Sequence, residues 1–263
     1  MAGIKNVISL IGIPVMVSGT LLTADKHKVA YHHYRNGHNQ VVIIAHGFYN
    51  SKEAILLQKL KNNLLDSYDV FMFDFRGHGK SSGLYSWTSK EERDLEAVFD
   101  YLKGRYEKTG MIAFSLGGSV AINVLAKRND SDALICVSTP SDCDKIDYKF
   151  WKLDWKGDVW YTLISKEGRK GKGVRVGPFW FKKQKPIDNV GKLKIPILYI
   201  HGEKDWVVEP WHSQALYDKT NSKKKLVIIK NGPHAEYLMK ESEGEFIKEI
   251  RQWFNQTLNG GAR

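Results

Sequence analysis

Cysteine is scarce in this chain, where Cys136 and Cys143 are the only two thiols among 263 residues. Two cysteines are too few for a disulfide framework, and they lack the four-ligand pattern of a structural zinc site. This scarcity favours a reducing compartment, and we expect a cytoplasmic protein.

Acidic residues are also few beside the basic ones, with 29 Asp and Glu against 40 Lys and Arg and a net charge of +11. A surface of this sign attracts nucleic acid, anionic lipid or acidic small molecules, and the charge alone does not choose among them. The 42% hydrophobic and 26% charged side chains are typical of a globular protein. At this length, one α/β domain with an insertion is favoured over two independent domains.

An uncharged stretch, residues 6–24, follows Lys5 and overlaps in pattern with a signal peptide or a membrane anchor. Polar and small residues dilute its apolarity, and no A-x-A cleavage site follows it. From Val15 onward the pattern instead predicts a strand, joined by a polar turn at 25–28 to a partner strand at 29–34. Membrane association or export through this stretch is the alternative to a cytoplasmic location.

Short apolar runs rich in β-branched residues recur along the chain, each followed by a loop and most by a helix-length segment. Such runs are typical of buried parallel strands joined by crossover helices. We expect strands at 41–45, 70–73, 111–114, 133–137, 197–201 and 226–229, and helices at 90–103, 116–127 and 243–258. The sequence therefore predicts an α/β protein with a mostly parallel central sheet and helices on both faces.

Residues 141–190 differ in composition from their surroundings, with nine aromatic side chains and twelve Lys and Arg against seven Asp and Glu. We expect a cap or lid inserted into a core formed by 1–140 and 191–263. Its tryptophans either roof the pocket and bind substrate or pack against the edge of the sheet. The tryptophans concerned are Trp151, Trp155, Trp160 and Trp180.

The octapeptide MIAFSLGG at 111–118 runs from an apolar strand into Ser115 and then into small residues. A serine hydroxyl is a weak nucleophile, so catalysis needs it raised on a tight turn where a base and backbone N–H donors can reach the reacting atoms. The usual pattern is G-x-S-x-G, and Ala113 replaces its first glycine here. The alternative role is a serine that only caps the helix.

Two further residues follow predicted strands in the same way. Asp205 lies in HGEKD at 201–205, after the fifth run, and His234 lies in NGPH at 231–234, after the sixth. The carboxyl ends of parallel strands are where open α/β sheets hold their active sites, and Ser, Asp, His is a known triad order. We expect His234 to take the Ser115 proton and Asp205 to orient the imidazole. Taken singly, a turn aspartate and a surface histidine are the ordinary explanations.

An oxyanion hole needs two fixed N–H donors. In AHGF at 45–48, Gly47 permits close backbone approach after the first run, so the N–H of Phe48 can face the nucleophile. The N–H of Leu116, at the start of the following helix, supplies the second donor. We expect His46 to be a structural hydrogen-bonding residue.

These segments resemble the α/β-hydrolase superfamily, in particular its small serine esterases and lipase-like members. The matching segments are AHGF at 45–48, DFRGHGKSSG at 74–83, AFSLGG at 113–118, HGEKD at 201–205 and GPH at 232–234. The resemblance covers about 15–258 except the insertion, which stands where this superfamily carries its cap. It implies Ser115, Asp205 and His234 as the triad, with Phe48 and Leu116 as oxyanion donors.

The resemblance implies a serine hydrolase that cleaves carboxylic esters and needs no cofactor or metal. Lysophospholipase, thioesterase and acyltransferase activities on the same triad are alternatives. The expected partner is a small-molecule or lipid ester. The basic charge of the cap is compatible with an anionic ester or with contact to a membrane surface. It is equally compatible with a solvated face that binds nothing. Asp74, Arg76 and His78 are expected to support the scaffold.

Two other interpretations are disfavoured. A lysine-rich surface with interleaved aromatics could bind nucleic acid, but the sequence contains no recognised nucleic-acid module, and a non-catalytic basic binding protein is only a distant alternative. A metal site built from His27, His32, His33 and His38 is disfavoured because His32 and His33 point to opposite sides of a predicted strand.

Overall fold

One sheet of eight strands lies at the centre of the protein. The computed structural model describes residues 14–147, 174–178, 180 and 182–260. The strands are β1 (Val15–Leu22), β2 (Lys28–Arg35), β3 (Gln40–Ala45), β4 (Asp69–Phe73), β5 (Lys108–Phe114), β6 (Ala133–Val137), β7 (Ile197–Gly202) and β8 (Lys224–Ile229). The α-helices described are α1 (Ile55–Asn62), α2 (Glu92–Leu102), α3 (Leu116–Leu125), α4 (Pro186–Asn189), α5 (Trp211–Lys219), α6 (Leu238–Glu241) and α7 (Glu243–Thr257).

The strands lie in the order β1, β2, β4, β3, β5, β6, β7, β8. Strand β2 pairs antiparallel with β1 and β4, whereas every pairing from β4 to β8 is parallel. The predicted α/β class, the N-terminal hairpin and the six further strands are confirmed, and the three predicted helices are slightly shorter than expected. Because β3 to β8 run parallel, the loops after these strands meet at one edge of the sheet.

The central strands are buried on both faces, which explains why their sequences are continuous apolar runs without alternation. One face is covered by α1, α6 and α7, and the other by α2, α3 and α5. The predicted apolar stripe of α7 is buried as expected: Phe246, Ile247, Ile250, Trp253 and Phe254.

The N-terminal segment is described from residue 14 onward, and its strand β1 begins at Val15 as predicted. Strand β1 lies at the edge of the sheet and pairs along its whole length with β2, so that Val15 faces Arg35. Within the described ranges, none of the helices has both the length and the apolarity needed to cross a bilayer.

The described end of the predicted cap contacts the core. The side chain of Asn123, in α3, donates to the backbone carbonyl of Gln184 at 3.2 Å and accepts from Asn189 at 3.0 Å. Val190 is buried in the core. Trp151, Trp155 and Trp160 lie outside the described residues, so their assignment and the cap boundaries remain predictions.

His32 and His33 bind different partners on opposite faces of β2. His32 contacts Ser18 Oγ and Glu53 Oε1, each at 2.7 Å, while the Nε2 of His33 lies 2.6 Å from the hydroxyl of Tyr106. Both imidazoles therefore hold neighbouring elements together. Among the residues described, no group of three or more His, Cys, Asp or Glu side chains is arranged to hold a metal ion.

Arg76 forms a buried charge network behind the glycine-rich segment. Its guanidinium contacts Asp94 (Nη2 to Oδ1, 2.7 Å) and Asp25 (Nη1 to Oδ2, 2.8 Å), and its backbone N–H donates to Asp94 at 2.8 Å. Hydrogen bonds from Arg76 hold the pKa of Asp25 well below its usual range. The network ties the N-terminal hairpin to α2, which supports the scaffold role expected of Arg76.

We expect Arg76→Met to lower the free energy of unfolding by about 3–5 kcal/mol, because it leaves the buried carboxylate of Asp94 without a cation. Urea denaturation at pH 7 measures this loss. The matched control is Arg93→Met: Arg93 also contacts Asp25 at 2.8 Å, but its side chain is 47% exposed. That control should lose less than about 1 kcal/mol.

Equal losses in the two variants would contradict this expectation. If Arg76→Met does not fold, adding Asp94→Asn should restore folding, since it removes the uncompensated charge and keeps an acceptor for the backbone N–H at position 76.

Candidate active site

Ser115 stands alone between the end of β5 and the start of α3. Its backbone has φ 49° and ψ −120°, a conformation rare outside glycine. Its N–H donates to the carbonyl of Val137 at 2.8 Å, and its carbonyl accepts from Gly118 at 2.9 Å. The chain therefore turns sharply at this residue, which is the predicted elbow geometry.

The glycines after Ser115 are required by close contacts. A Cβ at Gly117 would lie 2.5 Å from the carbonyl oxygen of His46, and one at Gly118 would lie 1.9 Å from Thr139 Oγ1. Real Cβ atoms do not approach so closely. Glycine at 117 therefore lets α3 begin directly against the end of β3, and glycine at 118 lets it pack against Thr139 after β6.

Asp205 and His234 form a direct hydrogen bond. The Nδ1 of His234 lies 2.7 Å from Oδ2 of Asp205, whose other oxygen accepts from the backbone N–H groups of Val207 and Val208 at 3.1 and 2.9 Å. His201 Nε2 lies 3.2 Å from the same Oδ2. Burial raises the pKa of Asp205, but His234 and His201 outweigh it and hold that pKa well below its usual range. Asp205 is therefore a buried carboxylate that stays ionised.

The end of β6 links the loop of Ser115 to the loop of His234. Val137 accepts the N–H of Ser115, and the next residue, Ser138, accepts the N–H of Ala235 on its Oγ at 2.9 Å. Ser138 is itself buried with φ 49°. The three predicted triad residues thus lie in the loops after β5, β7 and β8, at the same edge of the sheet.

His46 fixes the peptide that follows β3. Its Nε2 accepts the N–H of Phe75 at 3.0 Å, so Nδ1 carries the proton and donates to the carbonyl of Gly47 at 2.7 Å. Burial lowers the pKa of His46, which keeps the ring neutral. An amide N–H points opposite to its carbonyl, so this bond also fixes the direction of the Phe48 N–H. A Cβ at Gly47 would lie 3.1 Å from the Cβ of Ser115, so the two loops touch.

A second neutral histidine supports the same loop. His78 Nε2 accepts the N–H of Tyr49 at 3.3 Å, and its Nδ1 donates to the carbonyl of Arg76 at 3.0 Å. Nearby, the buried side chains of Lys52 and Asp74 pair at 2.6 Å. These contacts explain the scaffold role expected of Asp74 and His78.

A small pocket of about 10 Å³, with space for about one water molecule, lies beside this loop. Both predicted oxyanion residues, Phe48 and Leu116, are in its wall, next to Gly47, which touches Ser115. The remaining lining residues are His46, Phe75, His78, Tyr85, Thr88, Glu91, Gly117 and Val120.

The described residues of the predicted cap show a mixed surface. Trp180 is 72% exposed. Lys183 pairs with Asp144 at 3.2 Å, and Lys185 pairs with Asp142 at 2.8 Å. Part of the positive charge of the cap is therefore compensated locally.

Sequence reasoning missed several residues that hold the site together. Ser138 and His201 support the loops of His234 and Asp205, and Asn50 donates to Glu236 at 2.5 Å, joining the loop after β3 to the loop after β8. The sequence carries no local signal for these residues. Each contacts a residue that is far away in the sequence or that is brought near only by the folding of a loop. Only the position of His201 at the end of a predicted strand could have drawn attention.

The site lies at the carboxyl edge of an eight-stranded α/β sheet, and comparisons with known proteins agree with this class. A family model for the α/β hydrolase fold matches residues 40–158, and one described as serine aminopeptidase, S33, matches residues 184–243. The Arabidopsis thaliana α/β hydrolase domain-containing protein WAV2 is 33% identical over 173 residues, 63% of this chain and 51% of WAV2. The Escherichia coli protein YfhR is 27% identical over 188 residues, 70% of this chain and 58% of YfhR. The chain spans little more than half the length of these relatives.

Solved structures agree over nearly the whole chain. The Pyrococcus furiosus esterase Pf2001 is similar with a TM-score of 0.75 at 25% identity, covering 93% of both chains. The Exiguobacterium antarcticum esterase EaEST has a TM-score of 0.69 at 17% identity, covering 90% of this chain and 99% of EaEST, a likeness of fold alone. The chain belongs to the α/β-hydrolase superfamily.

The free energy of unfolding should decrease as the pH is lowered below about 6.5, because burial lowers the pKa of His78 to about 3. The unfolded chain then binds more protons than the folded one below about pH 6.5, so stability present above that pH is lost as the pH falls. One such histidine contributes a slope of up to about 1.4 kcal/mol per pH unit. His78→Gln, which keeps a donor and an acceptor, should show a shallower slope in urea unfolding between pH 4 and 7. An unchanged slope would refute this role.

Proposed function

We propose that this protein is a serine hydrolase that cleaves carboxylic esters. The observation that carries the proposal is the 2.7 Å hydrogen bond between His234 and Asp205, in loops at the same sheet edge as the strained Ser115. Ser115 is the residue at which β5 turns directly into α3, and the imidazole of His234 is paired with a buried carboxylate that stays ionised. The combination supports nucleophilic catalysis.

In the first half of the reaction, Ser115 Oγ attacks the ester carbonyl carbon while His234 Nε2 takes its proton. Asp205 binds the Nδ1 proton, which fixes the ring tautomer and stabilises the imidazolium. The ester C–O bond then breaks, the alcohol leaves with the proton from His234, and the acyl group stays on Ser115. His234 then takes a proton from a water molecule, which attacks the acyl carbonyl carbon. The bond to Ser115 Oγ breaks, the carboxylic acid leaves, and Ser115 regains its proton from His234.

The negative charge on the carbonyl oxygen is stabilised by the N–H groups of Phe48 and Leu116. The fixed Gly47–Phe48 peptide supports the first donor, and the start of α3 supports the second. Donors held in place before reaction need no reorganisation, and one such donor is typically worth about 3–4 kcal/mol. His46 acts here as a positioning residue.

The similarity to the Pyrococcus furiosus esterase supports ester cleavage, whereas the serine aminopeptidase description of one family model favours testing amides as well. Thioesterase, lysophospholipase and acyltransferase activities use the same residues. A panel of p-nitrophenyl esters of increasing acyl length, a thioester and an aminoacyl p-nitroanilide distinguishes them. Esters should give the highest kcat/KM, and a non-catalytic binding protein would cleave none of them.

Ser115→Ala and His234→Ala should each lower kcat for the best ester by several orders of magnitude, because the triad acts as a unit. A fluorophosphonate probe should label Ser115 in the wild-type protein. The control is Ser119→Ala, one helical turn later, where the hydroxyl bonds the carbonyl of Pro140 at 3.2 Å. Near-normal turnover by Ser115→Ala, or labelling at another residue, would overturn the assignment.

We propose an anionic ester as the preferred substrate, because the predicted cap carries more Lys and Arg than Asp and Glu. Attraction by rim lysines is screened over about 8 Å at physiological ionic strength, so kcat/KM for an anionic ester should fall as salt is added. A neutral ester of equal acyl length should change little. Replacing Lys182, Lys183 and Lys185 together by Ala should weaken the salt effect, although two of them already pair with aspartates. Equal salt dependence for both esters would make the basic charge incidental.

A further inference from the structure

His201 is the penultimate residue of β7, and its side chain is completely buried. The imidazole is held from two sides. Its Nδ1 lies 2.6 Å from the Oγ of Ser213, in α5, and its Nε2 lies 2.7 Å from the backbone carbonyl oxygen of Val208. Both of these partners are also buried. Because contacts at both nitrogens fix the orientation of the ring, His201 is a rigid element beside the triad.

The partners of His201 determine which ring nitrogen carries a proton. A backbone carbonyl oxygen only accepts hydrogen bonds, so the contact with Val208 requires a proton on Nε2 in either charge state of the ring. The hydroxyl of Ser213 can donate or accept, so it suits Nδ1 with or without a proton. His201 therefore always presents an N–H at Nε2.

This N–H lies beside the carboxylate of the triad. The Nε2 of His201 is 3.2 Å from Oδ2 of Asp205, the same oxygen that His234 contacts at 2.7 Å. Oδ2 is therefore held between two imidazoles. Burial raises the pKa of Asp205, and His234 and His201 are the two groups that lower it. The partial positive charge of the His201 N–H thus stabilises the ionised carboxylate that His234 needs.

His201 also fixes the loop that holds the other carboxylate oxygen. Val208 accepts the N–H of His201 on its carbonyl and donates its own N–H to Oδ1 of Asp205 at 2.9 Å. The loop at 205–208 is therefore closed around the carboxylate and tied to the imidazole. Without the imidazole, the carbonyl of Val208 loses this donor, and both oxygens of Asp205 can turn relative to His234.

We infer that His201 is a positioning residue for the triad: its Nε2–H orients the carboxylate of Asp205 for His234, and Ser213 fixes the ring that carries this N–H. The effect on turnover rests on the proposed serine hydrolysis. The hydrogen-bond geometry is testable without a substrate.

The test compares His201→Gln with His201→Leu. The amide nitrogen of glutamine reaches the position of Nε2 and keeps an N–H, whereas leucine fills the space without a donor. The matched control is His33→Leu. His33 is 3% exposed and lies on β2, and its Nε2 donates to the hydroxyl of Tyr106, which itself donates to Asp69. All three variants remove a buried imidazole, so general destabilisation would affect all of them.

The first measurement needs no substrate. The proton between His234 Nδ1 and Asp205 should give a ¹H NMR resonance far downfield, which His234→Ala removes. We expect His201→Leu to shift or broaden this resonance, because Asp205 loses a donor that orients it. His201→Gln and His33→Leu should leave it at the wild-type position. An unchanged resonance in His201→Leu, or the same change in His201→Gln, would overturn the inference.

The second measurement is ester hydrolysis by the same variants. His201→Leu should lower kcat about tenfold to a hundredfold, with KM within about twofold of wild type, as expected for one lost hydrogen bond to a charged group that is not in contact with substrate. His201→Gln should keep kcat within about threefold of wild type because it retains the N–H. His33→Leu should match wild type. A higher KM with unchanged kcat in His201→Leu would contradict a positioning role.

The wild-type protein supplies a further test if His201→Leu does not fold. With ¹⁵N-labelled histidine, the signals of His201 are assigned by their loss in His201→Gln. A proton on Nε2 supports the inference, whereas a ring protonated only on Nδ1 has no N–H for Asp205 and overturns it. If wild type cleaves no ester, the proposed hydrolysis fails, and the NMR measurements still decide how Asp205 is held.

Discussion

Helix α3 begins closer to the end of β3 than any side chain would permit. A Cβ at Gly117 would lie 2.5 Å from the carbonyl oxygen of His46, and a Cβ at Gly47 would lie 3.1 Å from that of Ser115. Ser115 is the one residue between β5 and α3, and its backbone adopts φ 49° and ψ −120°. The position of the pocket and of both expected oxyanion donors depends on it.

The loops around Ser115 are held by side chains that bond backbone atoms. His46 and His78 each accept one N–H and donate to one carbonyl, which requires a neutral ring, and burial lowers the pKa of both. Ser138 and Asp205 accept further N–H groups from the loops after β8 and β7. Loops lack a ladder of their own, so these bonds supply the rigidity that a catalytic geometry needs.

Backbone strain is concentrated around the site. Of the eight described non-glycine residues with positive φ, seven lie in the segments after β3, β5, β6 and β8 or in the turn at 86–91: Tyr49, Trp87, Thr88, Ser115, Ser138, Asn231 and Ala235. Each such residue costs on the order of 1–3 kcal/mol and persists only where its surroundings enforce it. The packing of helices on the sheet and the buried Arg76–Asp94 pair offset the energetic cost of this strain.

The fold and the triad candidates could be predicted because their signals are local. A parallel strand covered on both faces must be a continuous apolar run, and the residue after each run lies at the sheet edge where sites form. The Ser115, Asp205 and His234 positions follow from that rule and from small residues at the elbow. Most strands extend one to three residues beyond the predicted bounds, since pairing extends into polar positions such as Lys108 and Lys224.

The sequence by itself thus determined the class of fold, the order of the strands along the chain and which three side chains could meet. Only the tertiary structure decided how their loops are held, because Ser138 and Ala235 are 97 positions apart and Asn50 and Glu236 are 186 apart. A hydrogen bond between distant residues leaves no period or spacing in the sequence.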